Sequence, residues 1–339
     1  MKNILVLGFG VASTAYITLL QKNRNKVSVV GTPFDLEKIN LVKKNKIIKN
    51  YNLNIKFSNN VSFFKQFEDL NNLKYSLIII GVNSNGLTWA VEQLNKIKNT
   101  CTVLILTKGL LKEKNKIYTI SDYVKIKTKF KNIVYAAGPC LANELINQIH
   151  TRTVLASGLI SDAKYVKSIL ENEYYHPDIS SDITSAEICA ATKNIYATII
   201  GSASGQSSNR KVYKFNKNYY NAASALFEQS LKEMSIIVKK YRGSIKTVLG
   251  PAGSGDLYVS ALGGRNSKLG FYLGKGFLYK HIIKKQMKGI TVEGAELILD
   301  VGSLLLKSIG PKKLPLALFL FNAVSKNKKL HINWKKFIN

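Results

Sequence analysis

The stretch NILVLGFGVASTAYITLL at residues 3–20 decides the fold. Asn3–Leu7 is an apolar run that predicts a short strand, and residues 11–20 carry apolar side chains at helical spacing. Gly8 and Gly10 stand between them. The first glycine permits a tight turn, the second lets a pyrophosphate approach the backbone, and the helix N-terminus adds free N–H groups. This pattern predicts a dinucleotide site, although Ser13 stands where Gly or Ala is usual.

Further apolar runs follow at the spacing of an alternating α/β domain. They are continuous, as expected of strands buried on both faces of a parallel sheet, and helical periodicity dominates from residue 185 onward. We therefore predict an N-terminal Rossmann-type, doubly wound parallel sheet over residues 1–185 and an all-helical C-terminal domain over 186–339. The predicted strands are Asn3–Leu7, Lys26–Val30, Tyr75–Ile80, Thr102–Leu106, Asn132–Ala137 and Thr153–Ser157; helices are predicted over 34–44, 185–201, 221–240, 267–286, 292–308 and 314–325, and a flexible basic loop over 203–218.

The chain is long and strongly basic. Its 339 residues exceed what a single hydrophobic core usually supports, so two domains are expected. The 50 Lys and Arg against 20 Asp and Glu give a net charge of +30, which first suggests a nucleic acid or a membrane surface. The lysines are, however, spread along the chain among Asn and Ile, which indicates a global compositional bias. We expect no specific nucleic-acid partner, and we expect the charge to help attract a phosphorylated substrate.

Cysteine usage and hydropathy predict a cytoplasmic protein. Cys101, Cys140 and Cys189 are scattered, odd in number and without metal-ligand spacing, so we expect reduced thiols and no metal site. The N-terminus resembles a signal peptide, but Gly8 and Gly10 interrupt its apolar run and no small-residue cleavage site follows. No other stretch reaches the roughly 18 unbroken apolar residues of a transmembrane segment.

The residues after the second predicted strand bear on the choice of coenzyme. NAD sites usually carry an acidic residue there, which accepts hydrogen bonds from ribose hydroxyls. This strand ends at Gly31, Thr32 and Pro33, which removes an obstacle to a 2′-phosphate but adds no arginine to bind one. The sequence therefore predicts NAD or NADP and leaves the choice open.

Two segments follow predicted strands at the sheet edge where ligands bind. Thr107-Lys108-Gly109-Leu110 comes directly after Thr102–Leu106, and a lysine at a strand's carboxyl end is more often functional than one on a helix surface. The segment GPCLANE at 138–144 comes after Asn132–Ala137. It is either a plain strand-to-helix turn with proline near the helix start, or a segment that presents backbone N–H groups to coenzyme and substrate.

A lysine in an apolar helix is the most informative candidate. Lys193 lies in EICAATKNIYA at 187–197, where Ala and Ile neighbours predict a helix packed on nearly all sides. A lysine in such a place must be paired or neutral. Near a second cation it suits the role of general acid toward a ketone oxygen. The alternative is a surface lysine that extends into solvent.

A glycine-rich segment, GPAGSGDL at 250–257, leads on to Ser260 and to GGRN at 263–266. Glycines let backbone N–H groups converge on an anion, and Arg265 can bind a phosphate with its planar guanidinium group. Asp256 could orient the catalytic lysine and stabilise its charge. The segment therefore predicts a phosphate-binding site.

Taken in order, these motifs resemble the NAD(P)-dependent glycerol-3-phosphate dehydrogenase family over nearly the whole chain. They are Gly-x-Gly, Lys-Gly-Leu, Gly-Pro-x-x-Ala-x-Glu, Ala-x-Lys-Asn, Gly-Asp-Leu…Arg-Asn and Val-Glu-Gly at 292–294. The resemblance implies a Rossmann domain followed by a helical substrate domain. It also implies an enzyme that interconverts dihydroxyacetone phosphate and sn-glycerol 3-phosphate with NAD(P)H, supplies the latter for phospholipid synthesis, and forms a homodimer.

The resemblance assigns roles by motif. Lys193 would donate a proton to the carbonyl oxygen, Lys108 would contact substrate and nicotinamide, and Asp256 would complete the catalytic set. The implied substrate-binding residues are Lys108, Gly138, Cys140, Lys193, Asn194, Asp256, Ser260, Gly264, Arg265 and Asn266; the implied coenzyme-binding residues are Gly8, Gly10, Val11, Ala12, Lys108, Ala142, Arg265, Thr291 and Glu293.

Some positions depart from the family pattern. Val11, Ala12 and Ser13 replace a usual Ser, aromatic and Gly, and Cys140 replaces a usual Ser or Asn. Two alternatives therefore stay open: a related hydroxy-acid dehydrogenase with a similar Lys–Asn pair, and a non-catalytic basic binding protein on the same fold. The Gly-Gly-Arg-Asn segment fits a phosphate better than a carboxylate, which favours the phosphorylated substrate.

Overall fold

A computed structural model gives the structure of residues 1–50, 53–70, 74–208 and 219–337. In chain order, its first elements are β1 (Asn3–Leu7), α1 (Val11–Lys22), β2 (Lys26–Val30), α2 (Leu36–Asn45), β3 (Ile47–Asn50), β4 (Leu53–Lys56), β5 (Val61–Phe64), β6 (Leu77–Ile80), α3 (Leu87–Lys96), β7 (Thr102–Ile105), β8 (Leu110–Glu113), β9 (Lys116–Thr119), α4 (Ile120–Lys127), β10 (Ile133–Ala137), α5 (Ala142–Ile146), β11 (Thr151–Ala156), α6 (Ile160–Leu170) and β12 (Tyr175–Ser180). They are followed by α7 (Ile183–Ser207), α8 (Tyr220–Lys240), α9 (Ile245–Leu249), α10 (Asp256–Leu262), α11 (Gly264–Gly274), α12 (Tyr279–Lys284), α13 (Glu293–Ile309) and α14 (Pro315–Ser325).

The chain divides into two compact units. The first comprises residues 1–108 and 120–183, and the second comprises residues 109–119 together with those from 184 onward. The short hairpin β8–β9 therefore belongs with the helices of the second unit, where β8 packs against α13. The domain boundary at residue 185 stays a prediction of the sequence, which did not anticipate this hairpin.

The first unit is built on an eight-stranded sheet in the order β12-β11-β10-β7-β6-β1-β2-β5. The six strands from β10 to β5 are parallel, and β11 pairs antiparallel with β10. Numbered by their order in the chain, the six parallel strands have the order 3-2-1-4-5-6 of a doubly wound dinucleotide-binding sheet. The predicted Rossmann-type fold is confirmed, and its topological switch point lies between β1 and β6.

Burial explains which strands the sequence reveals. The side chains of β6, β7 and β10 are buried throughout, so these strands are continuous apolar runs. The prediction gave the bounds of β1 and β2 correctly and missed β5 and β12. β5 alternates between buried and exposed positions over only four residues, and β12 (YHPDIS) carries polar residues and a proline, so neither forms an apolar run.

In the second unit, the described residues from 184 onward form helices and loops without a strand. The prediction of a loop over 203–218 is wrong for residues 203–207, because α7 continues through Ser207; residues 209–218 lie outside the described residues. The single helix predicted over 267–286 is two, α11 and α12, because Gly276 between them has a φ of +90°. The short helices α9 and α10 were not predicted.

Helices α7 and α11 approach each other closely through glycines. A Cβ atom on Gly270 would lie 1.9 Å from the Thr198 carbonyl oxygen, and one on Gly205 would lie 2.0 Å from the Phe271 carbonyl oxygen. Only glycine allows backbones to pack at this distance. The contact fixes the register of α7, which carries Lys193, against α11, which carries Arg265.

None of the helices in the described part of the chain combines the length and the apolar character needed to cross a bilayer.

Candidate active site

The glycine turn lies at the switch point of the sheet. Gly8 has a φ of +93° and donates its N–H to the Val30 carbonyl oxygen at 2.8 Å, which joins the end of β1 to the end of β2. A Cβ atom on Gly8 would lie 2.6 Å from Val82 Cγ1, so this turn requires glycine. Gly10 begins α1 in an extended conformation without a side-chain cap, and Val11 and Ala12 are exposed. Free N–H groups of the helix N-terminus are therefore available to a pyrophosphate, so the turn fits a dinucleotide.

Ser13 is accommodated by a glycine on another strand end. It is fully buried, and its hydroxyl donates to the Gly81 carbonyl oxygen at 2.9 Å. A Cβ atom on Gly81 would lie 2.0 Å from Ser13 Oγ. The third glycine of the usual pattern normally allows helix and strand to pack closely. Here Ser13 takes its place, and Gly81 after β6 leaves room for the Ser13 side chain. The departure at Ser13 leaves the turn intact.

The end of β2 differs from the sequence-based interpretation. No acidic residue follows the strand directly, but a 3₁₀ turn over Pro33–Asp35 brings the Asp35 carboxylate back to it. Thr32 donates to Asp35 Oδ2 from its backbone N–H at 2.9 Å and from its hydroxyl at 2.7 Å. The sequence-based interpretation that no acidic group lies at this strand end is therefore wrong, because the Asp35 carboxylate lies there in the folded chain.

Several predicted residues of the first unit line one cavity of about 60 Å³. Lys108 follows β7, and Gly138, Cys140 and Ala142 follow β10. Both segments lie at the carboxyl ends of parallel strands, on the far side of the switch point from β2. The cavity thus lies at the edge of the sheet where a doubly wound α/β fold binds its dinucleotide. Ala12 of α1 completes this part of the lining.

The hydroxyl groups of Tyr16, Tyr175 and Thr153 lie beside this cavity and were not predicted from the sequence. The hydroxyls of Tyr16 and Tyr175 lie 2.8 Å apart, and Thr153 donates to the Tyr175 hydroxyl at 2.9 Å. Tyr16 and Thr153 line the cavity. Burial raises the pKa of both tyrosines, so their hydroxyls stay protonated and able to donate. Two of the three lie in apolar-patterned elements, which gave no signal of a polar group.

In the second unit, Lys193 and Asp256 form a buried ion pair. Lys193 lies on α7 and is 7% exposed, and Asp256 begins α10 and is 2% exposed. The Lys193 Nζ donates to Asp256 Oδ1. Lys193 is thus a paired lysine in an apolar helix, and not a surface lysine that extends into solvent. The carboxylate stabilises the ammonium group, which can act as a proton donor within a site largely closed to water.

Side-chain hydrogen bonds join the Lys-Asn, Arg-Asn and Val-Glu-Gly motifs. Asn266 Nδ2 donates to Asn194 Oδ1 at 3.0 Å, and Asn266 Oδ1 accepts from the Gly294 N–H at 2.8 Å. Arg265 donates to Glu293 Oε1. Residues from α7, α11 and α13 are therefore joined, although the corresponding segments are about seventy and thirty residues apart in the chain.

The glycine-rich segment forms a π-helical turn over Pro251–Gly255 that leads directly into Asp256. The N–H groups of Gly253 and Gly255 donate to the Gly250 carbonyl oxygen at 3.2 and 3.3 Å. The expectation that these glycines present N–H groups to an anion is therefore wrong for these two. A single π turn of this kind often occurs at functional sites, and here it sets the direction of α10 and hence of Asp256.

The start of α11 is the better anion site. The helix begins at Gly264, so Gly264, Arg265 and Asn266 lie in its first turn, where unpaired N–H groups and the positive end of the helix dipole meet. Arg265 adds a guanidinium group that is half exposed. This combination of backbone donors and a planar cation fits a phosphate.

The structure thus gathers the predicted residues into two sets, one in each unit. Gly8, Gly10, Val11, Ala12, Lys108, Gly138, Cys140 and Ala142 belong to the first unit, and Lys193, Asn194, Asp256, Ser260, Gly264, Arg265, Asn266, Thr291 and Glu293 belong to the second. Ser260 lies on α10, and Thr291 is exposed before α13. The roles assigned to these residues stay predictions. Among the described residues, no group of three or more His, Cys, Asp or Glu is arranged to hold a metal ion.

The first unit has a glycine turn at the switch point of a 3-2-1-4-5-6 sheet, and the second unit buries a lysine–aspartate pair. Together these two features define the class of dinucleotide-dependent dehydrogenases. Family models narrow this class. The model of the NAD-dependent glycerol-3-phosphate dehydrogenase N-terminus matches residues 3–163, and that of the C-terminus matches residues 182–334. The chain belongs to the NAD-dependent glycerol-3-phosphate dehydrogenase family.

Individual relatives agree with this membership. The chain is 28% identical over 298 residues to the NADP(+)-dependent glycerol-3-phosphate dehydrogenase of Archaeoglobus fulgidus, covering 86% of each chain. It is 28% identical over 306 residues to the glycerol-3-phosphate dehydrogenase [NAD(P)+] of Mesoplasma florum, covering 87% of this chain and 85% of the relative. The solved structure of the glycerol-3-phosphate dehydrogenase of Plasmodium falciparum shares the fold, with a TM-score of 0.85 at 18% identity over 100% of this chain and 95% of that one.

Proposed function

We propose that this chain reduces dihydroxyacetone phosphate to sn-glycerol 3-phosphate, and catalyses the reverse oxidation, with a nicotinamide dinucleotide. The observation that carries the proposal is the buried Lys193–Asp256 pair, which lies on helices joined to those that bear Arg265 and Asn266. A proton donor and a phosphate-binding group are the two functions that a phosphorylated ketone requires. The family membership supports the same reaction.

When bound, the reduced coenzyme supplies a hydride to the ketone carbon. Lys193 donates a proton to the carbonyl oxygen as the carbon–oxygen π bond breaks, so that the oxygen becomes a neutral hydroxyl group. Asp256 holds the ammonium group in place and favours its return to the charged form afterwards. Lys108 contacts the substrate and the nicotinamide, and a cation there stabilises the developing negative charge on the oxygen.

Arg265, Asn266 and the N–H groups at the start of α11 bind the phosphate. The net charge of +30 favours approach of the anionic substrate at low ionic strength.

We also propose that the enzyme works in the cytoplasm as a homodimer and supplies glycerol 3-phosphate for phospholipid synthesis. Scattered cysteines support a reducing compartment. Size-exclusion chromatography with light scattering would test the dimer independently of activity.

An assay of the purified chain with NADH and NADPH in parallel tests the proposal. We expect the nicotinamide absorbance to fall when dihydroxyacetone phosphate is added, and to rise when glycerol 3-phosphate is added with the oxidised coenzyme. No change with either coenzyme, together with nucleic-acid binding that falls steeply with salt, would instead support a basic binding protein on this fold.

A further inference from the structure

A second cavity of the first unit lies outside the candidate active site. Its volume is about 450 Å³, and residues of α1, of β4 and the segment after it, of the end of α5 and of the turn before β12 line it. None of them lines the cavity that contains Lys108, and none is a residue to which the family resemblance assigns a role. Ligand pockets have volumes of about 300–1,000 Å³, so this second cavity is large enough for a small molecule.

The Tyr174 hydroxyl is an unpaired polar group at the second cavity. Tyr174 lines the cavity and is only 3% exposed, but its hydroxyl makes no hydrogen bond to a described residue. The Asn172 side chain accepts hydrogen bonds from the backbone N–H groups of Tyr174 and Tyr175 at 3.1 and 3.0 Å, which fixes the turn that carries Tyr174. Buried polar groups in proteins are nearly always hydrogen-bonded. The Tyr174 hydroxyl must therefore find its partner in the cavity, from water or from a ligand.

Two glutamines shape the wall of the second cavity. Gln21 on α1 donates from Nε2 to the Lys56 carbonyl oxygen at 3.1 Å and accepts at Oε1 from the Ser58 N–H at 3.1 Å, so it holds the end of β4 against α1. Gln148, after α5, has a φ of +59°, a conformation in which glycine or asparagine is usual at the end of a helix. Its side chain lines the cavity and makes no hydrogen bond to a described residue. Backbone strain of this kind is concentrated at ligand-binding sites.

The charges of the lining favour an anion. Two lysines, Lys22 and Lys56, line the second cavity, and none of the lining residues is acidic. The Lys56 Nζ makes no ion pair with a described residue. Lys22 pairs with Glu173 at 3.4 Å, but both side chains are at least half exposed, so this pair contributes little and leaves Lys22 able to turn toward a ligand. Two cations without an acidic neighbour in the lining attract a phosphate group.

The rest of the lining indicates a ligand larger than phosphate itself. The Asn54 and Asn147 amides and the Ser58 hydroxyl add neutral donors and acceptors, and buried Ile55 and the Tyr174 ring add apolar surface. A sugar phosphate has the matching groups, because its phosphate is charged, its hydroxyls donate and accept, and its C–H groups pack on apolar surface. Inorganic phosphate would contact the lysines and leave most of this lining unused.

We infer that the second cavity is a ligand site that binds a small sugar phosphate through Lys56, Gln148 and Tyr174. The inference goes beyond the proposed reaction, because the cavity takes part in no step of it. Binding at this site does not depend on turnover, so the two proposals can fail separately.

Calorimetric titration of the full chain with glucose 6-phosphate tests the inference. We expect a dissociation constant below about 1 mM, and at least about tenfold weaker binding of inorganic phosphate. Tyr174→Phe removes a hydroxyl that has no partner among the described residues, so it should leave the urea midpoint unchanged and weaken glucose 6-phosphate binding by about 3–10-fold. Lys56→Gln should weaken it by about 10–100-fold, since it removes a cation from the phosphate. Lys44→Gln on α2, which removes the same charge outside the lining, is the matched control and should bind as the wild-type chain does.

Arg265→Ala separates this site from the proposed substrate site, and we expect it to bind glucose 6-phosphate as tightly as the wild-type chain. Binding that is lost in Arg265→Ala but unchanged in Tyr174→Phe and Lys56→Gln would place the ligand at the substrate site and overturn the inference. Inorganic phosphate that binds as tightly as glucose 6-phosphate would overturn it as well. So would the absence of any binding by the wild-type chain at millimolar glucose 6-phosphate, whereas activity on dihydroxyacetone phosphate would be untouched by that result.

Discussion

Lys193 donates a hydrogen bond to Asp256, and the two side chains are only 9% and 3% exposed. Removing one partner leaves the other as an uncompensated buried charge, which typically costs about 3–5 kcal/mol. We expect Lys193→Met and Asp256→Asn each to lower the free energy of unfolding by about that amount in urea denaturation. The double variant should be more stable than the sum of the two losses predicts, because it buries no unpaired charge.

Strictly additive losses would mean that the two charges do not depend on each other. The ion pair Lys232–Glu228 on α8 provides the control, since its side chains are both 59% exposed. Exposed pairs contribute about 0–1 kcal/mol, so the same cycle on that pair should show little coupling.

The catalytic role of Lys193 makes a separate prediction. We expect Lys193→Ala to reduce turnover by about 10²–10⁴-fold, the usual contribution of a general acid, while the dissociation constant for NADH changes little. The dinucleotide turn lies in the first unit and Lys193 in the second, so coenzyme binding measured by fluorescence should survive the substitution. Turnover equal to that of the wild-type chain would remove Lys193 from the reaction.

Arg265 should act on substrate binding. Loss of a hydrogen bond to a charged group costs about 1.5–3 kcal/mol, so Arg265→Ala should raise the Michaelis constant for dihydroxyacetone phosphate by about 10–100-fold. Dihydroxyacetone, which lacks the phosphate, provides the matched comparison. The variant and the wild-type chain should use it equally poorly. A similar loss on both ketones would show that Arg265 acts on the carbonyl group or the coenzyme and not on the phosphate.

Cys140 should report occupancy of the cavity that it shares with Lys108. Cys189 is fully buried, and burial raises the pKa of Cys101 to about 12, so both should react slowly with iodoacetamide near neutral pH. We expect mass spectrometry to find Cys140 labelled first, and to find slower labelling with saturating coenzyme and substrate. If ligands leave the labelling rate unchanged, Cys140 does not contact them.

The parts of the site that the sequence predicted are those set by local structure. The turn at Gly8, the position of Lys108 after β7 and the turn at Gly138 each follow from a strand that is an apolar run of neighbouring residues. The contacts of Lys193 with Asp256 and of Asn194 with Asn266 depend on how the helices pack together. The hydrophobic periodicity of the sequence predicts single helices and gives no information on which helices pack against each other. Charge complementarity alone suggested Asp256 as a partner of Lys193, whereas no residue pattern predicted that Asn194 and Asn266 would form a hydrogen bond.

Asp35 and the π turn before Asp256 were missed for a related reason. Both depend on short-range backbone geometry, a 3₁₀ turn in one case and hydrogen bonds to the Gly250 carbonyl in the other. Asp35 does not follow β2 directly in the sequence, and only the 3₁₀ turn brings its carboxylate back to the end of that strand.

Glu233 of α8 is a fully buried carboxyl group that caps another helix. Its oxygens accept the N–H groups of Leu316 and Ala317, in the first turn of α14, at 2.7 and 3.1 Å. Tyr196 and Gln229 donate to it as well. Burial nevertheless raises the pKa of Glu233 to about 7, because the cost of desolvating the charge exceeds the gain from these donors.

The raised pKa makes stability depend on pH. Between pH 4.5 and about 7 the folded chain holds a proton on Glu233 that the unfolded chain releases, so the contribution of this group to stability falls as pH rises through that window. Glu233→Gln removes the titration and also places an amide N–H₂ against a backbone donor, so we expect the variant to be less stable at pH 5. The stability difference between wild type and variant should then shrink by on the order of 3 kcal/mol as pH rises to 8. Urea denaturation between pH 5 and pH 8 measures this stability difference, and Glu228→Gln at an exposed position of the same helix is the control. A stability difference between wild type and Glu233→Gln that does not change with pH would show that Glu233 is ionised throughout this range.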